Sequence, residues 1–322
     1  MGIENEKTYD AVFWAGVINM KKYIIPLVNE AFGEHFTENA TVDPDPNKQV
    51  FEHTDGSFGQ GEMDALVTLN EASVSKKYHF EVETWVDNSI VVRIAEYSIG
   101  VARDNLQLTE RGLEATLPNS AVIFLKKAKT IPDKLLMIVK GCGGELINEI
   151  PVIKLENYSI DDLFEKKLFL LIPFYGFHFD EEFEKMDATG IEELKEDLDE
   201  ISDRLVKMVE SGEMSADQHG HLIDWMGRVL DKLTYRYENL REGVDAIMRT
   251  YILRTRTDEI LDQGRAEGRD KRDREKIEEM LRKGKTPEAI ADFCGYPIEL
   301  VKSVQESMKA QEAQEENMTI AN

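Results

Sequence analysis

An α/β core followed by an all-α C-terminal region is the fold class this 322-residue chain predicts, on three observations. Apolar residues at helical spacing open the chain, and short runs of strand character follow between Gln49 and Leu155. Strand signals then vanish beyond about Phe179. Together these predict a mixed central sheet flanked by helices and followed by a helical appendage.

From Tyr9 to Phe32 the residues Val12, Phe13, Val17, Met20, Ile24, Leu27, Val28 and Ala31 recur at helical spacing, with Gly33 placed as a C-cap. Pro26 is expected to kink or divide this helix, because proline lacks the N–H the helix needs. A loop rich in Pro, Asp and Asn at 43–47 leads to three strand candidates, Gln49–His53, Glu62–Leu69 and Lys77–Trp85. Ser89 to Asn105 returns to helical spacing. Ala121–Leu125, Lys134–Val139 and Glu149–Leu155 are further strand candidates, the last two separated by the Gly-rich turn Gly141–Gly144. Ser159 and Asp162 form a capping signature ahead of a helix over Leu163–Phe174.

The expected organisation is a core over 1–179, a charged helical arm over 180–263 and a Gly/Arg-rich linker at 264–275, then a small helix-turn-helix-like unit at 276–308 and a polar tail at 309–322. In the arm, Leu194, Leu198, Ile201, Leu205 and Met208 repeat at 4-3-4-3 spacing. That stripe suits either a coiled-coil seam, giving a homo-oligomer through the C-terminal helices, or packing against the core. Thr286-Pro287 is an N-cap followed by proline at the first helical position.

No run reaches the ~18–20 apolar residues of a membrane span, and the N-terminus has no basic region followed by an apolar one. Cys142 and Cys294 show neither metal-ligand spacing nor a disulfide framework, so a reducing cytoplasm is the expected compartment. The formal charge of −24 is the wrong sign for gripping DNA over a broad surface. The acid is unevenly spread, however. Asp180 to Asp203 is dense in carboxylates, whereas Lys126, Lys127 and Lys129 form a basic run.

The segment with chemical content is Gly61-Glu62-Met63-Asp64-Ala65-Leu66-Val67, answered by His79-Phe80-Glu81-Val82-Glu83-Thr84-Trp85. A hairpin turning at Ala72 and Ser73 sets Asp64 opposite Glu81 and Glu62 opposite Glu83, with opposed Cβ atoms about 4.5–5.5 Å apart. Alternation then puts all four carboxylates on one face, and Met63, Ala65, Val67, Phe80 and Val82 on the other. Like charges so placed destabilise a sheet unless a cation lies among them. Hard oxygen donors favour Mg²⁺ or Mn²⁺, with Asp64 and Glu81 as ligands and the Val82 main-chain carbonyl completing the shell. The same residues also suit a solvent-facing acidic hairpin without a metal, so spacing alone leaves both readings open.

These phrases resemble the PD-(D/E)XK nuclease family transposases and the related Rpn recombination-promoting nucleases. The likeness rests on the strand bearing Asp64, the strand Phe80-Glu81-Val82-Glu83 and the helix with Arg93 and Tyr97. The opening Tyr9-Asp10-Ala11-Val12-Phe13 and the segment Pro26 to Gly33 also contribute. Pro118–Leu125, Pro151–Leu155, Asp162–Pro173 and the tail Lys283 to Val301 resemble later parts of such proteins. The resemblance implies a restriction-endonuclease-like core and a Mg²⁺- or Mn²⁺-dependent DNA endonuclease of transposition or recombination type. It makes Asp64, Glu81 and Glu83 the catalytic carboxylates, Arg93 and Tyr97 a phosphate grip, and Glu30 a further acid on the first helix.

One departure from the pattern matters: a Lys or Gln usually stands two residues after the second acid, and here Glu83 does. A lysine can stabilise charge developing on the phosphate, whereas Glu83 can only coordinate metal or act as a base. The alternative expectation is therefore a catalytically reduced relative that binds nucleic acid or protein.

Overall fold

The computed structural model describes residues 3–305 except 46–47, 53–57, 86–88, 128–129, 187, 238–239, 252–272, 275 and 295. The expected linker falls almost wholly outside the described residues, and the polar tail entirely so. The chain divides into two compact units, Met1–Thr255 and Arg256–Asn322.

In the first unit, α1 (Ile3–Asn19) and α2 (Ile24–Phe32) are bent 110° apart around a 3-10 turn at Lys21–Tyr23. Pro26 occupies the first turn of α2, where its missing N–H costs nothing; the helix is divided upstream of it, because a continuous helix would press the ring on the Lys22 carbonyl. Gly33 ends α2 at φ 64, the left-handed cap expected of it. No single helix is long and apolar enough to cross a membrane, and Val12, Phe13, Val17, Ile24, Leu27 and Val28 of α1 and α2 are buried in the core.

The strands are β1 (Thr41–Pro44), β2 (Lys48–Glu52), β3 (Phe58–Glu62), β4 (Ala65–Glu71) and β5 (Val74–Glu83). After α3 (Ser89–Asp104) come β6 (Gln107–Thr109), β7 (Gly112–Glu114), β8 (Asn119–Phe124), β9 (Lys134–Gly141) and β10 (Gly144–Lys154). The central sheet is mixed and six-stranded, in the order β1-β4-β5-β8-β10-β9, while β2-β3 and β6-β7 are separate ribbons. β8 runs parallel to both β5 and β10, and the other pairings are antiparallel.

β1 falls where the sequence reads as loop. Four residues with Pro44 make an edge strand, the position in a sheet where proline is tolerated. The expected strand Glu62–Leu69 is in fact two: Glu62 closes β3 opposite Lys48, the chain bends at Asp64, and β4 begins at Ala65.

Helices cover both faces of the sheet. On one face α1, α2 and the helices within 188–251 share a continuous core with Ala65, Val67, Leu69, Tyr78, Phe80, Val82, Ala121 and Ile123. On the other, α3 lays Ile90 and Ile94 on Val122, Phe124 and Ile150, and Tyr97 and Val101 on Leu66 and Met63. Met63 thus lies with α3 rather than with Val67, because the bend at Asp64 breaks the alternation. The Ser159 capping box forms and starts α4 (Ile160–Glu165). The helix then stops at Lys166, and a 3-10 stretch from Phe169 to Phe179 containing Pro173 replaces the longer helix expected there.

The helices α5 (Ala188–Ser211), α6 (Ala216–Thr234) and residues 240–251 belong to this first unit. Leu194, Leu198, Ile201 and Leu205 are fully buried in its core, so the 4-3-4-3 stripe is used within the chain. The second unit buries Ile277, Ile290, Val301 and Val304 among three helical segments, at 276–282, Pro287–Cys294 and 298–305. Thr286 Oγ1 accepts from the Ala289 N–H at 3.3 Å, capping the second of them.

Candidate functional site

Pairing of β4 with β5 runs from Glu71↔Val74 to Ala65↔Phe80, around a turn at Ala72 and Ser73. Continuing the register by one residue sets Asp64 beside Glu81, the juxtaposition the sequence predicts. It does not extend to Glu62 and Glu83, because Glu62 belongs to β3; Glu83 instead lies alongside Phe124 of β8.

The acidic face is no solvated hairpin, since α3 covers it. Glu81 is 0% exposed, Glu83 7% and Asp64 9%. Asp64 Oδ2 accepts a 2.6 Å hydrogen bond from the Val82 N–H. It takes the place that the next residue of β4 would hold in the ladder, and the Val82 carbonyl, on the same side of its strand as the N–H, points toward that gap. Burial, then the charge of Glu81, then that of Asp10, drive the Asp64 carboxyl well above its ordinary range, against the Val82 hydrogen bond.

His79, fully buried on β5, positions Glu81. Its Nε2 lies 2.8 Å from Glu81 Oε1 and its Nδ1 3.2 Å from Ser120 Oγ. Against a carboxylate, which only accepts, Nε2 is the donor, and the Ser120 hydroxyl lies at Nδ1. Tyr97 packs edge-on against the imidazole, with centroids 5.7 Å apart. Burial and the charge of Glu81 push the Tyr97 hydroxyl up to about 12.

With Oε1 held by His79, the other oxygen, Oε2, is buried without a hydrogen-bond partner. Arg93 Nη1 lies 3.6 Å from it, while Nη2 donates to Glu83 Oε1. Replacing His79 by phenylalanine is expected to cost about 1–3 kcal/mol for each buried partner left unsatisfied. Urea unfolding measures this, and His79→Gln, which keeps one donor, should cost less.

Glu30 lies in a different neighbourhood. Its carboxylate accepts from the Tyr158 hydroxyl at 2.9 Å and from Lys166 Nζ at 2.7 Å, and it lines a cavity of about 1020 Å³ with Lys22, Lys166 and Phe169. The acid of the first helical pair that acts on Asp64 is Asp10 of α1. Sequence reasoning passed over Asp10, although it stands within the Tyr-Asp-Ala-Val-Phe phrase that marks the opening helix. Its position one turn before Phe13, which is buried against Phe80, is the signal that faces it to the sheet.

Among the described residues no group of three or more His, Cys, Asp or Glu side chains is spaced to hold a metal ion. Asp64 is turned onto the Val82 N–H, and Arg93 spans Glu81 and Glu83. The groups are hard oxygen donors, the class that Mg²⁺ and Mn²⁺ take, and Glu81 Oε2 is a buried oxygen without a hydrogen-bond partner. Just beyond Glu83, Trp85 is 65% exposed, and Lys126 Nζ lies 4.6 Å over its ring while also pairing with Asp180.

No protein-family model, curated protein or solved structure matches this chain.

Proposed function

We propose that this protein is a divalent-metal-dependent hydrolase of DNA phosphodiester bonds, built on a PD-(D/E)XK core of the transposase and recombination-promoting type. The observation that carries the reading is the meeting of Asp64 and Glu81 in the buried layer beneath α3, with Glu81 Oε2 left without a hydrogen-bond partner. Such a cluster is costly to the fold, and a divalent cation is the ligand that offsets the cost. Bound there, Mg²⁺ or Mn²⁺ would supply Lewis acidity and an activated water.

The chain's own residues orient that chemistry. His79 holds Glu81 by one oxygen and leaves the other for the cluster. The Val82 N–H holds Asp64, and the Val82 carbonyl faces the same gap. Arg93 is the cation in reach of a substrate phosphate. The face of Trp85 that Lys126 does not cover suits stacking on an unpaired base. Local features of this kind are what a protein of charge −24 needs to recruit DNA.

A second reading, a non-catalytic relative that binds nucleic acid or protein, is favoured by Glu83, whose pairing with Arg93 puts a salt bridge where the family pattern has a lysine or glutamine. Nicking of supercoiled plasmid in Mg²⁺ or Mn²⁺, abolished by EDTA, is the result expected of the hydrolase. No cleavage in either metal selects the binding reading. If the missing lysine limits the chemistry, Glu83→Lys should raise nicking several-fold, because an ammonium there stabilises charge on the phosphate; if Glu83 is a working ligand, the same change should abolish it.

A further inference from the structure

We propose that Arg93 is a built-in counter-ion that competes with the divalent cation for the acidic cluster, and turns out toward the substrate when the cation enters. The inference rests on the metal-site reading above and concerns how that site is regulated. Asp64, Glu81 and Glu83 bring three carboxyl groups together, and the guanidinium of Arg93 reaches from α3 to Glu81 and Glu83.

Its engagement is incomplete. A well-made arginine–carboxylate pair has two N–H···O bonds of about 2.7–2.9 Å, yet Arg93, bonded to Glu83 through Nη2, leaves Nη1 3.6 Å from Glu81 Oε2. That oxygen and Arg93 Nε are both buried without hydrogen-bond partners. A permanent structural ion pair would satisfy these atoms.

The side chain is also able to leave. It is 40% exposed, while the Glu81 carboxylate it approaches is 0% exposed. A long side chain partly in solvent can rotate away without moving α3, so displacement requires no rearrangement of the core. The oxygen that Arg93 fails to satisfy is the one a cation would take, so guanidinium and ion compete for a single position. Released, Arg93 would keep its charge and stand at the edge of the site, where a phosphate would approach.

The test is Mn²⁺ binding to the full chain, measured by calorimetry and by the electron paramagnetic resonance of free Mn²⁺, in wild type, Arg93→Gln and Arg93→Lys, each with and without Asp64→Asn. Removing the competing charge should tighten Mn²⁺ binding by about tenfold or more in Arg93→Gln. Arg93→Lys, which keeps the charge, should stay near wild type, and Asp64→Asn should remove binding in every background.

The rise in melting temperature on adding Mn²⁺ should likewise be larger in Arg93→Gln than in wild type. Asp64-dependent binding that is equal or weaker in Arg93→Gln would overturn the counter-ion proposal and leave the metal site standing. No Asp64-dependent binding in any variant would overturn both. Should Arg93→Gln fail to fold without cation, recovery on refolding in Mn²⁺, absent when Asp64→Asn is added, supports the competition; no recovery overturns it.

Discussion

Asp64→Asn or Glu81→Gln is expected to lower DNA nicking by on the order of 10³-fold, the loss of several kcal/mol of metal-assisted stabilisation of the transition state. Both changes nearly preserve shape, and the side-chain amide introduced by Asp64→Asn still offers an oxygen to the Val82 N–H. Metal-free Asp64→Asn should respond in the opposite sense and become more stable near neutral pH.

The reason is linkage. Asp64 has a folded-state carboxyl held well above its unfolded value by burial, Glu81 and Asp10. A group raised in this way contributes stability that is complete below the unfolded value, about 3.9, and is lost as pH rises toward the folded one. Urea unfolding in EDTA across pH 4–8 should therefore show wild-type stability falling with pH, and a shallower slope for Asp64→Asn. Loss of nicking together with loss of metal-free stability would mean that the carboxylate serves the fold, not the chemistry.

The second large effect is on stability alone. Phe80→Ala should cost about 3–5 kcal/mol. Phe80 is fully buried on β5 between the site residues His79 and Glu81, with ring contacts to Phe13 of α1 and Phe32 of α2 at 6.2 and 5.8 Å. Truncation opens a cavity under the strand that carries the acidic residues. Denaturant unfolding would show a lowered midpoint, and an unchanged one would mean that the neighbouring rings collapse into the space.

Much of this architecture is legible in the sequence, for identifiable reasons. The two-residue turn at Ala72 and Ser73 sets the register, and period-two alternation assigns Phe80 and Val82 to one face and Glu81 and Glu83 to the other. Ser159, Gly33 and Thr286 mark helix ends because each supplies a specific cap. What escapes is decided by tertiary context.

Nothing local in Glu62 distinguishes the end of β3 from the start of β4, so the bend at Asp64 is invisible until the strands pair. The burial of the acidic face depends on α3 folding back over it, and strand alternation is blind to that. Asp10 and Glu30 share a helical region in sequence, yet the 110° bend between α1 and α2 sends one toward Asp64 and leaves the other with Tyr158 and Lys166.

The connectivity of β5 has a kinetic side. Its partner β4 lies across a two-residue turn, whereas β8 joins it from about forty residues further along the chain. Local contacts form ahead of distant ones, so the hairpin that sets Asp64 beside Glu81 is an early event, reached while both carboxylates are still hydrated and their repulsion is only about 1 kcal/mol. The steep part of the penalty arrives when α3, the next element along the chain, closes over the pair and takes the carboxyls out of water. The conflict between site and fold is therefore met when this helical layer closes, not when the hairpin turns.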